Sequence, residues 1–167
     1  MTTILGIDPG TANFAYAVLT GPRAVKATGL VQPYKKAGDV EQMRTLVKTL
    51  TRVVRAFKPD LVVIERFMFR GGGSVAAECM NHAIGFTVLT MERLKIPWRM
   101  IPAAQWKNYG TKEWGYENDA KSKGRARALA KKIFPKLKNI DVIHIVDAAC
   151  LARYGFEKGI SKGWLGT

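Results

Sequence analysis

The sequence predicts an α/β fold built on a mixed β-sheet. Two runs, Thr3–Ile7 and Leu61–Ile64, are almost continuously apolar, as strands buried on both faces are. An amphipathic helical pattern separates them, so the two strands are expected to lie parallel. Two further strand patterns follow the first run in quick succession, which fits an antiparallel meander.

At 167 residues, 47% of them apolar, the chain is long enough for one domain with a substantial core. No apolar run approaches the roughly twenty residues of a membrane span. The sequence opens directly on a strand pattern, so no signal peptide is expected. Residues 1–158 are expected to form the domain and the Gly- and Lys-rich 159–167 a flexible tail. Cys79 and Cys150 are far apart and lack metal-type spacing. They read as buried free thiols in a reducing, cytoplasmic setting. Charge is the strongest global signal: 27 Lys+Arg against 13 Asp+Glu give a net +14. Such an excess favours a polyanionic partner, and its clustering between Lys121 and Lys138 argues against a merely soluble basic protein.

Asn13–Leu19 and Ala24–Val31 read as the second and third strands, joined by a Gly21-Pro22 hairpin signal. In Asp39–Phe57, Val40, Met43, Leu46, Val47, Leu50, Val53, Val54 and Phe57 recur at helical spacing. Asp39 suits the N-cap and Lys58-Pro59 the end. Asp60–Glu65 is the fourth strand. Ser74–Leu94 reads as a helix with Ser74 at its N-cap. That helix is apolar over more than one stripe, so part of it is expected to bury against a second copy of the chain. His82 on it reads as structural. Trp98–Ile101 is the fifth strand. Pro102–Lys107 starts a short helix with Trp106 as a core anchor, and Tyr109–Glu117 reads as a loop. Asn118–Phe134 is a basic helix with a thin apolar stripe and no balancing acid after Asp119, which favours phosphate contact. Asp141–Ala152 reads as the last helix.

Chemistry concentrates at the strand ends. Asp8 ends the first strand on a Pro9-Gly10 turn. It is either a turn-forming Asp or a half-buried charge that needs a partner. Glu65 ends the neighbouring parallel strand. Two carboxylates at one sheet edge repel, which asks for a divalent cation. Arg66-Phe67-Met68-Phe69-Arg70 and three glycines follow at once. Aromatics flanked by Arg suit base stacking and phosphate contact; the alternative is one core Phe on a mobile linker. Asp141, His144 and Asp147 stand three apart along one face of the last helix. Asp141 reads as an N-cap, with a ligand role left open. Asp147 lies among apolar residues, and buried carboxylates are rare without a partner. A metal served by Asp8, Glu65 and Asp147 is the economical partner.

The ordered set Gly6-Ile7-Asp8-Pro9-Gly10-Thr11, Ile64-Glu65-Arg66, Lys121-Ser122-Lys123 and His144-x-x-Asp147-Ala148 resembles the RuvC-type Holliday junction resolvases over about residues 3–155. The opening motif is weak alone; the ordered set is specific. The resemblance implies an RNase H-like fold, a five-stranded mixed sheet of order 3-2-1-4-5 with helices on both faces. It implies a homodimer that binds four-way DNA junctions and makes paired symmetric nicks. Asp8, Glu65 and Asp147 match the family's acids, and His144 a position where members carry His or Asp. Lys121 matches a basic residue near the scissile phosphate. The loop with Phe67 and Phe69 corresponds to the segment that enters the crossover, although its two Phe and three glycines differ from the family. Arg66, Phe67, Phe69, Arg70, Lys107, Lys121, Lys123, Arg125 and Arg127 are the expected DNA contacts.

The implied chemistry is a two-metal phosphodiesterase using Mg²⁺, with Mn²⁺ as a substitute. Asp8 is the expected shared ligand, Glu65 serves one ion, and Asp147 with His144 the other. The expected products carry 5′-phosphate and 3′-hydroxyl ends. A phage-encoded member fits as well as a housekeeping one. A broader nuclease for forks and flaps is the alternative, and a non-catalytic junction binder a remoter one. An actin-like ATPase or sugar kinase opens on a similar strand, but this chain has no second Gly-rich phosphate loop.

Overall fold

Five strands form one sheet: β1 (Ile4–Pro9), β2 (Phe14–Leu19), β3 (Val25–Val31), β4 (Leu61–Arg66) and β5 (Trp98–Pro102). Their order is β3-β2-β1-β4-β5, the order expected. β2 runs antiparallel to β1 and β3, whereas β4 runs parallel to β1 and β5. The computed structural model describes residues 1–9, 14–31, 40–66, 75–116, 132–137 and 142–165.

Two cores sandwich the sheet, and strand alternation decides which residue enters which. Leu5 and Ile7 of β1, with Val62 and Ile64 of β4, join the core under helices α1 (Val40–Phe57) and α2 (Val75–Arg93). Ile4, Leu61 and Val63 join the opposite core, under α3 (Ala103–Trp114) and α4 (Ile143–Gly159). By the same period of two, Gly6, Asp8 and Glu65 face α4. α1 buries Leu46, Leu50, Val53 and Val54, the centre of its predicted stripe. Cys79 and Cys150 are buried free thiols, as expected. Among the described residues no helix is long and apolar enough to cross a membrane.

α4 lies unusually close to β1, and Gly6 makes that possible. A Cβ built on Gly6 would overlap the Ala148 carbonyl oxygen and sit 2.7 Å from the Ala152 nitrogen. The helix backbone therefore rests on the strand backbone. The alanines of α4 at 148, 149 and 152 are fully buried at the contact.

Several boundaries differ from expectation. The helix expected at Pro102–Lys107 runs on to Trp114, so Tyr109–Trp114 is helix rather than loop, while Pro102 ends β5. Packing explains this. The Tyr109 hydroxyl and the Trp114 indole N–H both donate to Glu157 Oε2 at 2.9 Å, fixing α3 to α4. The helix stops at Gly115, whose φ of 64° suits a residue without Cβ. α4 begins at Ile143 with Val142 in the N-cap position, and it extends past Ala152 to Gly159. Asp141, expected there as the cap, lies outside the described residues. Of the expected flexible tail, residues 160–165 fold back: the Trp164 N–H donates to the Gly159 carbonyl at 2.8 Å, and Leu165 is buried in the α4-side core.

Most of the basic helix expected over Asn118–Phe134 lies outside the described residues. Its end is anchored. Arg23, in the turn between β2 and β3, donates from Nε to the Ile133 carbonyl and from Nη2 to the Lys132 carbonyl, both at 3.1 Å.

Replacing Gly6 with Ala is expected to destabilise the fold by roughly 3 kcal/mol, since neither backbone can move aside cheaply. Urea unfolding of Gly6→Ala against the wild type measures it. A loss within experimental error would show that α4 can lift away.

Candidate active site

β1 and β4 pair in parallel up to Ile7 opposite Ile64. The next residues, Asp8 and Glu65, therefore emerge side by side on the face toward α4. The first turns of α4 lie over this edge and carry His144 and Asp147. His144 Nδ1 is 2.7 Å from Asp8 Oδ2. Asp8 is 7% exposed and Asp147 8%. The four residues expected to hold metal thus share one edge of the sheet, and His144 and Asp8 are in direct contact.

Burying acids without partners is costly, and α3 supplies donors. The Trp106 indole N–H donates to Glu65 Oε2 at 2.8 Å. Just past the end of α3, the Tyr116 hydroxyl donates to Asp147 Oδ1 at 3.0 Å. Lys107 Nζ stands 3.6 Å from Asp147 Oδ2 and 5.1 Å from the centre of the Trp106 ring. Lys107, expected among the DNA contacts, thus lies within the acidic cluster.

Two of these partners were missed by sequence reasoning. Trp106 is the expected core anchor and is fully buried, but a buried indole N–H also needs an acceptor. That need was the available signal. Tyr116 fell in a stretch read as loop. Only the helix-ending Gly115 before it hints that the chain turns back there.

The charges perturb one another. Glu65 is pushed up to about 7, first by burial and then by the Asp8 charge, with Lys107 and Trp106 opposing. Burial also raises Asp147, offset by Lys107 and reinforced by Asp8. His144 is raised chiefly by its hydrogen bond to Asp8, against the effect of burial. Burial and the neighbouring Asp147 raise the Tyr116 phenol, which keeps it a proton donor.

Arg66 ends β4 and is exposed. The other expected contacts, Phe67, Phe69, Arg70, Lys121, Lys123, Arg125 and Arg127, lie outside the described residues.

Among the described residues no three His, Cys, Asp or Glu side chains converge tightly enough to ligate one ion. The donor set itself fits a hard divalent cation. It offers three carboxylates and one imidazole, and the acids raise one another's proton affinity, a repulsion that a cation relieves.

The protein-family model described as "Crossover junction endodeoxyribonuclease RuvC" matches residues 4–153. A protein of that description from Synechococcus sp. (strain CC9605) is 32% identical over 107 residues, covering 62% of this chain and 68% of its own. Another, from Synechococcus sp. (strain WH7803), is 28% identical over 136 residues, covering 80% and 87%. Among solved structures, T. thermophilus RuvC in complex with a Holliday junction substrate has a TM-score of 0.68 at 16% identity, covering 96% of both chains. At that identity the likeness concerns the fold.

The three raised groups act on stability in one direction. For Glu65, folding is penalised once the unfolded carboxyl ionises near 4.5, and the penalty grows until the folded one ionises at about 7. Asp147 acts in the same sense. The His144 contribution is present while both states are protonated and is lost as pH rises through its raised folded value. With EDTA present, the melting temperature is expected to fall from about pH 5 to about pH 8, and Glu65→Gln should flatten the fall. A wild-type melting temperature that rises over this range would overturn the assignment.

Proposed function

The chain belongs to the RuvC family of crossover junction endodeoxyribonucleases, and from that membership we propose that it resolves four-way junctions by paired symmetric nicks, using two Mg²⁺ ions held by Asp8, Glu65, His144 and Asp147. The family's activity is the metal-dependent cutting of Holliday junctions. The observation that supports the site assignment is the placement of these four side chains at the one sheet edge where β1 and β4 end beneath α4, with His144 in contact with Asp8.

Asp8 lies between Glu65 on β4 and His144 on α4, which suits it to be the shared ligand. Glu65 would serve one ion, and Asp147 with His144 the other. When bound, such ions supply Lewis-acid chemistry: activation of the attacking water and neutralisation of charge on the leaving 3′ oxygen. Oxygen donors favour Mg²⁺, and the imidazole makes Mn²⁺ an acceptable substitute. His144 holds the Asp8 carboxylate in place through Nδ1, and Lys107 offsets the charge of Asp147. Lys121 is assigned by its motif to neutralise charge on the phosphoryl oxygens. DNA approach rests on exposed Arg66 with Phe67, Phe69 and Arg70 after it, and on Lys123, Arg125 and Arg127. The net charge of +14 supports that surface.

Homodimer formation through α2 is supported by two features of its outer face. Leu89 is 64% exposed. Gly85, in mid-helix, has open space where a Cβ would stand. A mid-helix glycine costs roughly 1 kcal/mol against Ala, and among the described residues nothing packs against Gly85 to offset that. A second helix crossing closely at Gly85 would. Gly85→Lys is expected to leave the protomer folded by circular dichroism and to sediment as a monomer. A dimer as stable as the wild type would place the interface elsewhere.

The deciding assay uses labelled four-way junction, duplex, fork and flap DNAs with Mg²⁺ or EDTA. Paired symmetric nicks in the junction, absent with EDTA, are expected. Equal cutting of forks and flaps would favour a broader debranching nuclease. Asp8→Asn is expected to lower cleavage at least about 1,000-fold while leaving junction affinity within about twofold, because binding rests on the basic surface. Loss of binding in a folded Asp8→Asn protein would refute that division.

A further inference from the structure

Trp106 and Tyr116 have a relation that burial alone does not require. Each donates one neutral hydrogen bond to a different acid: Trp106 to Glu65 Oε2 and Tyr116 to Asp147 Oδ1. Those acids come from separate elements, β4 and α4. The two donors belong to one aromatic unit. Their rings meet edge to face, with centroids 5.1 Å apart and planes at 69°. Both residues are essentially buried, at 0% and 3% exposure. The unit is closed by backbone: Gly115 turns the chain, and the Tyr116 N–H donates back to the Gly110 carbonyl at 3.0 Å.

The donors also suit a metal site in kind. Indole and phenol are neutral, so they orient a carboxylate without cancelling its charge, as an ammonium or guanidinium would. Each engages one oxygen. Among the described residues the other oxygen of Glu65 has no hydrogen bond, and that of Asp147 faces Lys107. Outer hydrogen bonds of this type fix ligating carboxylates in metal sites generally.

We propose that Trp106 and Tyr116 form one positioning unit, a rigid aromatic bracket that sets the spacing between the Glu65 and Asp147 carboxylates for divalent-metal binding. The inference rests on the metal-site reading above. The bracket acts before DNA arrives, so its loss shows in the metal affinity of the free protein.

The test is Mn²⁺ binding to DNA-free protein, followed by electron paramagnetic resonance of the unbound ion, for wild type, Trp106→Phe, Tyr116→Phe and the double variant. Each single variant is expected to weaken Mn²⁺ binding roughly 10-fold or more. The double variant should weaken it by much less than the product of the two, because the bracket acts as one unit. Junction affinity in EDTA should not change, and added Mn²⁺ should recover part of the lost cleavage. A merely structural role would lower the melting temperature and leave the Mn²⁺ affinity of the folded fraction unchanged. Wild-type affinity in folded Tyr116→Phe overturns the proposal, and that variant decides the matter if Trp106→Phe does not fold. Failure of the wild type itself to bind Mn²⁺ refutes the metal-site reading, and the bracket with it. That outcome is separable, because the variants are compared only against a wild type that binds.

Discussion

The contact between Gly6 and the backbone of α4 is the constraint on which the rest of the structure depends. Helices normally stand off a sheet by the thickness of two side-chain layers. Here one layer is missing, because Gly6 has no side chain and α4 presents alanines at the contact. Lowering the helix onto the central strand brings its first turns level with the strand ends. Only then do His144 and Asp147 come within reach of Asp8. A larger residue at position 6 would preserve the hydrophobic pattern of β1 while separating the chemistry carried by the two elements.

That arrangement places like charges together in a poorly solvated corner. The protein meets the cost in two ways. Lys107 brings positive charge to Asp147, and His144 Nδ1 makes a hydrogen bond with Asp8. Trp106 and Tyr116 provide hydrogen bonds without charge. Glu65 keeps a strongly raised proton affinity nonetheless. A cation bound there, as proposed, would relieve this repulsion.

Much of this was legible in the sequence. Unbroken apolar runs identified β1 and β4 as central strands, and a carboxylate at the end of each identified the edge. The three-residue spacing of His144 and Asp147 put them on one helix face. What sequence pattern could not carry were the supporting contacts. Tyr116 meets Asp147 only because α3 continues through Tyr109 and Gly110, a stretch whose Gly and aromatic content mimics a loop. Its helicity comes from tertiary bonds to Glu157, a residue almost fifty positions away. The start of α4 differs from expectation too: Asp141 has strong capping chemistry, but the N-cap position falls at Val142, which makes no side-chain cap.

The grip of Arg23 on the carbonyls of Lys132 and Ile133 has a further consequence. Upstream of residues 117–131, Tyr116 is tied to Asp147; downstream, the chain is tied to the β2–β3 hairpin. The chain is therefore secured independently on either side of residues 117–131, at one end to the acidic site and at the other to the sheet. Because neither tie depends on the other, a change in sequence between them does not have to move Asp147 or the hairpin.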